Sequence, residues 1–91
     1  MATVEQTLVL INKVGLHARP AAQFVQTAAG YSASVMIEHA GQTADAKRIL
    51  QVLQLGAEKG AELHVRAEGA DAREAVAALA ALVAERFGEP E

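Results

Sequence analysis

His17 and Arg19 stand two residues apart in the stretch Gly15-Leu16-His17-Ala18-Arg19-Pro20. An imidazole is a nucleophile and proton carrier near neutral pH. A guanidinium holds a permanent positive charge in a fork that fits phosphate oxygens. Pro20 suits the first turn of a helix, where its missing N–H costs nothing. His17 is therefore expected at or beside the N-cap. The backbone N–H groups that follow, beginning at Ala18, have no intrahelical acceptors, and the aligned peptide dipoles make that end positive. Phosphate is stabilised at such a place, and charge-assisted bonds contribute on the order of 1.5–3 kcal/mol each. The positive end also disfavours an imidazolium, and the neutral ring is the form that attacks phosphorus. Once formed, a phosphorylated ring would be held by the same groups. The expected chemistry is phosphoryl transfer, with His17 and Arg19 as the catalytic pair and Ala18 and Arg19 as phosphate-binding residues. Gly15 would supply freedom for a tight approach and leave room above the ring. Each residue alone could be an ordinary solvated side chain. The conjunction Gly-x-His-x-Arg-Pro, set between a strand and an amphipathic helix, carries the expectation.

The remaining histidines do not extend this chemistry. His39 lies near a turn and His64 points outward from a strand, and neither is spaced with a carboxylate or histidine as a metal pair. The chain has no cysteine, which removes disulfides and thiolate metal sites. The stretch GAEKGAE lacks the Ser/Thr and spacing of a P-loop. No metal and no cofactor are expected.

The elements that must position His17 follow from periodicity. Val4 to Ile11 reads as a strand with Val4, Leu8 and Leu10 on one face. The helix after His17 runs to about Ala29, with Ala21, Phe24, Val25 and Ala28 inward, and Gly30 is a natural C′ stop. Ser34 to His39 and Gln42 to Ala44 form a hairpin about Ala40-Gly41, with Val35 and Ile37 inward. Asp45 is a candidate cap for a short helix from about Lys47 to Leu55, closed by Gly56. Leu63, Val65 and Ala67 alternate as in a half-buried strand. Asp71 with Glu74 resembles a capping box, opening a last helix to about Phe87 that buries Ala75, Val76, Leu79, Leu82 and Val83. The order is β-α-β-β-α-β-α. Four strands with one apolar face, covered by helices, make a two-layer α/β domain with an at least partly antiparallel sheet. One domain spanning residues 1–91 is expected.

The short helix KRILQVLQL has apolar residues on too many sides for one buried face. At about 100° per residue, Val52 and Leu55 fall on one side and Ile49, Leu50 and Leu53 on another. The second group is expected to be exposed for partners. Lys47 and Arg48 would give it a basic rim suited to acidic surfaces.

Composition excludes several other functions. Hydrophobic residues make up 52% of the 91 but aromatics only 3%, and the net charge is −3 with both signs spread along the chain. No basic tract or aromatic platform suggests nucleic acid, and no polybasic segment suggests an anionic membrane. No apolar run approaches the roughly 20 residues of a bilayer span. The opening MATVEQTLVLINK has neither the basic region nor the cleavage site of a secretory signal. A cytoplasmic monomer is expected.

Taken together, GLHARPAAQFVQTA, ADAKRILQVLQLGAEKGAEL and AEGADAREAVAAL resemble the active-site loop and first helix, the second-helix segment, and the last loop and helix of the HPr family. These are the histidine-containing phosphocarriers of bacterial phosphotransferase systems, and the resemblance covers essentially the whole chain. It implies an open-faced β-sandwich of the α+β class, with an antiparallel sheet in order 1-4-2-3 and three helices on one face. It implies that His17 is phosphorylated on Nδ1 by phosphorylated enzyme I, and that the group passes on to enzyme IIA domains of sugar transporters. Arg19 maps onto the family's active-site arginine. Ala22, Ile49, Leu50 and Leu53 map onto its partner-binding surface. Such a chain is a carrier of a phosphohistidine and not a stand-alone turnover enzyme. Gram-positive members carry a regulatory serine at the start of the second helix. Arg48 occupies that position here, so that switch is expected to be absent.

Three other readings stay open on the residues. The nitrogen-related paralogue shares the NK-x-G-x-HARP pattern. A non-catalytic module could bind an enzyme or regulator through the same surface. A small phosphate-ester hydrolase of acylphosphatase type would need an amide side chain to hold water. Asn12, the only asparagine, precedes the loop glycine, which disfavours that last reading.

Overall fold

The computed structural model describes residues 2–91. Strand β1 spans Thr3–Val9 and β4 spans Glu62–Glu68, and they pair antiparallel from Thr3↔Glu68 to Val9↔Glu62. On the other side of β4 lies β2, Ser34–His39, also antiparallel, which in turn pairs with β3, Gln42–Asp45. The sheet order is therefore β1-β4-β2-β3, and the element order is the expected one. The register stacks the apolar parity into rows. Leu8 faces Leu63, Val35 faces Ala67, and Ile37 lies between Val65 and Ala44. All seven are buried, which specifies the register, because a slip of one residue would turn each of them to solvent. Leu10 is also buried but lies beyond the strand. The ladder ends at Val9, and Leu10 instead exchanges bonds with Ala61 and Gly60, at 2.9 and 2.7 Å.

The β2–β3 turn is made by Ala40 and Gly41, both with positive φ (52° and 82°). That is the conformation of a tight primed hairpin turn, in which the alanine is the strained member.

Helices α1 (Ala18–Ala29), α2 (Ile49–Gln54) and α3 (Ala72–Ala84) cover one face of the sheet. Phe24 from α1 and Phe87 beyond α3 are the largest fully buried side chains, set among alanines that fill the small gaps left between helices and sheet. Val4, Val25 and Leu82 are only partly buried at the edge of this core. Gly30 ends α1 in right-handed conformation (φ −73°), with its N–H bonded to Thr27, and not as a left-handed stop.

The ends of α2 and α3 differ from expectation. Asp45 stays in β3, paired with Met36, and its carboxylate accepts from Lys47 N–H at 2.9 Å. That local turn consumes the residues expected to start the helix, so α2 begins at Ile49 with Arg48 as N-cap. Asp71 is the N-cap of α3 but makes no side-chain cap bond. Its carboxylate reaches the N–H groups of Ser32 and Ala33 instead, each at 2.8 Å. These two bonds, the one to Ser32 first, hold its carboxyl below the usual carboxylate range. Finally, α3 stops at Ala84, and Arg86 and Phe87 both take φ 55° in a one-turn 3₁₀ segment, Arg86–Gly88. Two left-handed non-glycine residues cost on the order of 1–3 kcal/mol each. Burying Phe87 offsets about 1.5–3 kcal/mol of that. The reversal sends the last residues back to the β1–α1 loop, where the main-chain oxygen of Glu91 accepts from Lys13 N–H at 2.9 Å.

Candidate functional site

His17 is placed by its neighbours on both sides. Before it, Leu16 is buried and its N–H donates to Ala57 O at 3.0 Å, which fastens the loop to the segment after α2. Gly15 makes this possible. Its φ is 62°, and a Cβ there would lie 2.5 Å from Ala57 O and 2.6 Å from Glu58 Cα. Only a residue without a side chain fits that approach. After it, α1 begins with His17 itself as N-cap in extended conformation, making no side-chain cap bond. Its carbonyl accepts from Ala21 N–H at 2.8 Å. Helix geometry leaves the N–H groups of Ala18 and Arg19 without intrahelical acceptors. Pro20 has no N–H, so it removes what would have been a buried orphan donor.

The result is an exposed imidazole at the positive end of a 12-residue helix, next to the two main-chain N–H groups that open it and two residues before Arg19. The Arg19 side chain is 62% exposed, and its Nη1 donates to Glu89 Oε2 at 3.2 Å. Glu89 is only 18% exposed. Its other oxygen accepts from Asn12 Nδ2 at 3.0 Å, and the same Nδ2 donates to Gly15 O at 2.9 Å. Asn12 is fully buried and its Oδ1 has no partner. This amide ties the loop turn, the tail and the arginine together.

Leu16, His17, Ala18, Leu53, Gly56, Ala57 and Glu58 line one shallow cleft, so α2 lies alongside the imidazole. Within α2, Val52 and then Leu55 at its C-cap turn inward, Leu53 is half-buried, and Ile49 and Leu50 are 36% and 70% exposed. Ala22 on α1 is half-buried. The two basic residues separate. Arg48 is exposed and pairs with Asp45 at 3.6 Å. Lys47 is half-buried, and its ammonium donates to Tyr31 O at 2.8 Å, bridging the α2 approach to the end of α1.

Asn12 and Glu89 were absent from the sequence reading of the site. Their contact spans 77 residues, so no local pattern could show it. His64 and His39 lie away from this cluster. His64 Nε2 meets Glu5 at 2.7 Å on the outer sheet face, and His39 Nδ1 meets Glu62 O at 3.3 Å. Among the described residues, no three histidines, cysteines or carboxylates come together as metal ligands, and no helix is long and apolar enough to cross a membrane.

Comparison with known proteins gives this arrangement its relatives. Residues 4–85 match the family model described as the PTS HPr component phosphorylation site. The phosphocarrier protein HPr of Cupriavidus necator is 40% identical over 88 residues, covering 97% of this chain and 99% of that one. The crystal structure of HPr-C-His from Thermoanaerobacter tengcongensis is 42% identical, with a TM-score of 0.94 over 97% of this chain and 99% of that one. An HPr dimer from the same organism is 43% identical, with a TM-score of 0.77 over 90% and 94% of the two chains. With an exposed histidine at a helix start, an open-faced sheet in order β1-β4-β2-β3 and relatives matched over nearly their whole length, the chain belongs to the HPr family, the phosphocarriers of the phosphotransferase system.

Proposed function

We propose that His17 accepts a phosphoryl group from phosphorylated enzyme I and passes it to enzyme IIA domains of sugar transporters. On loading, a ring nitrogen of His17, Nδ1 in this family's pattern, attacks the donor's phosphorus; in the onward transfer the acceptor's nucleophile attacks and His17 is the leaving group. One N–P bond forms as the donor's N–P bond breaks, and the donor's nitrogen recovers its lone pair. The observation that carries this reading is the exposed N-cap position of His17, with no cap bond of its own, beside Arg19. The Ala18 and Arg19 N–H groups and the Arg19 guanidinium are the donors available to the phosphoryl oxygens. Because the phosphoramidate retains a high transfer potential, the step runs in either direction and this chain needs to contribute only position and charge.

Ala22, Ile49, Leu50 and Leu53 form the apolar part of the docking face, and Arg48 its positive edge. Lys47, engaged with Tyr31, serves the face by holding α2 in place. Arg48 stands where some relatives carry a regulatory serine, so no hydroxyl is available for that switch. One relative is described as a dimer, but a single copy of this chain supplies His17, Ala18, Arg19 and the α2 face, so a monomer in the cytoplasm suffices for the exchange.

Incubation with enzyme I and phosphoenolpyruvate tests the reading. The wild-type chain should acquire an acid-labile, base-stable phosphate, and His17→Ala should acquire none. Labelling retained in that variant would remove His17 from the role.

A further inference from the structure

We propose that Asn12 is a positioning residue for phosphoryl transfer, setting through the Gly15–Leu16 peptide where the His17 ring stands relative to the docking face on α2. The proposal rests on the phosphoryl-transfer reading of His17. Among the described residues, Asn12 is the only one with a polar side chain that is buried. Its Nδ2 donates to Gly15 O at 2.9 Å and to Glu89 Oε1 at 3.0 Å. Both partners are acceptors, so turning the amide over would set Oδ1 against two oxygens, and the orientation is fixed. The two polar atoms of the Gly15–Leu16 peptide are then held from different sides. Its carbonyl oxygen takes the Asn12 amide, and its N–H, that of Leu16, donates to Ala57 O at 3.0 Å. The turn is closed a second time by Gly15 N–H to Asn12 O, at 3.3 Å. A peptide unit is planar, so anchoring both its polar atoms fixes the plane. His17 follows at once, exposed and with no cap bond from its side chain. Its position is therefore set by this peptide before it and by α1 after it. Ala57, which receives the Leu16 N–H, lines the same cleft as His17 and Leu53. The clamp thus references the imidazole to the surface on which a partner rests. Asn12 is fully buried and offers that partner nothing, so it acts on the distance and direction of attack and not on docking.

Asn12→Ala withdraws the amide and leaves His17, Arg19 and the α2 face in the chain. In single-turnover transfer from phosphorylated enzyme I, well below the variant's Tm, the limiting rate should fall by about ten- to a hundredfold, as small misplacements of reacting atoms do. The half-saturating concentration of enzyme I should stay within about twofold of wild type, because the docking face is intact. Loss of fold alone would reduce how much chain reacts, not the limiting rate of the folded part. Phosphoramidate, a small donor that needs no docking and releases ammonia, should phosphorylate both chains at equal rates. An unchanged limiting rate in the folded variant would overturn the proposal. So would an equal loss with phosphoramidate, which would place the defect in the ring itself. If Asn12→Ala does not fold, the wild-type chain decides. Its Leu16 and His17 amides should have NMR order parameters of about 0.85, the rigid-backbone value, and values below about 0.6 would overturn the clamp. Failure of the wild-type chain to label at all would overturn the transfer reading and this proposal with it. Labelling that is indifferent to Asn12 overturns this proposal alone.

Discussion

At the scale of single residues, the site depends on donors that are left unused. His17 makes no cap bond, the Ala18 and Arg19 N–H groups lack helical acceptors, and the Arg19 side chain lies mostly in solvent. Arg19 should therefore matter far more to transfer than to folding. Arg19→Gln should slow phosphoryl transfer from enzyme I by about ten- to a hundredfold, corresponding to loss of one charge-assisted bond of roughly 1.5–3 kcal/mol in the transition state. Its Tm should stay close to wild type, because an exposed pair such as Arg19–Glu89 is worth about 1 kcal/mol or less. Rapid-quench labelling and a thermal melt check the two halves separately, and an unchanged rate would take Arg19 out of the mechanism. The placement of His17, Ala18 and Arg19 at a helix start was legible in the sequence because it is local: glycine, proline and the amphipathic run fix that start within a few residues. Glu89 was not legible because a carboxylate in a tail gains meaning only from where the chain has travelled, here back to Asn12.

At the scale of elements, alternation and helical spacing identified every strand and helix, and the deviations gather at their ends. Side chains that compete for backbone donors explain two of them. Asp45 bonds Lys47 N–H and delays α2, and Asp71 serves the loop at Ser32 and Ala33 in place of its own helix. The third, the early stop of α3, comes from a tertiary demand. The chain must reverse at Arg86 and Phe87 to bring Glu89 and Glu91 to the β1–α1 loop. The β2–β3 turn was read correctly, yet its sequence is not the best one for its shape. Ala40 sits at φ 52°, where a β-carbon is penalised by roughly 1–2 kcal/mol. Asparagine tolerates that conformation. Ala40→Asn should therefore raise stability by up to about 1 kcal/mol, or roughly 4–8 °C in Tm for a chain of this size. Phosphoryl transfer should be untouched, since the hairpin turn carries none of the site residues. A lower Tm would mean that the turn is not the strained one described.

At the scale of the whole molecule, α1 and α3 are tied to each other's surroundings at opposite ends. At one end Glu89, beyond α3, holds Asn12 and Arg19 at the start of α1. At the other, Asp71 at the start of α3 holds Ser32 and Ala33 beyond the end of α1. The 12 residues of α1 set these ties roughly 18 Å apart. One tie reaches the proposed phosphoryl site, and the other joins the helical layer to the start of β2 far from it. Their consequences should separate accordingly, with Glu89 acting on transfer and Asp71 on stability alone. Asp71 also gives its tie a pH signature. Hydrogen bonds from Ser32 N–H, and then from Ala33, hold its carboxyl below the usual range despite opposing desolvation, and Lys47 adds a favourable charge. A carboxyl lowered in the folded state contributes stability that is fully present above its unfolded value, near about 3.9, and is lost as pH falls through the lower folded value. The Tm of wild type should therefore exceed that of Asp71→Ala by a constant margin from pH 7 down to about 5. The margin should narrow steadily below about pH 4 as the carboxylate takes up its proton and ceases to hold the two N–H groups as an anion. Thermal melts of both chains across that range measure it. A margin that persists undiminished to pH 2 would show that the tie acts by shape and not by charge, and labelling by enzyme I at pH 7 should be equal in the two chains either way.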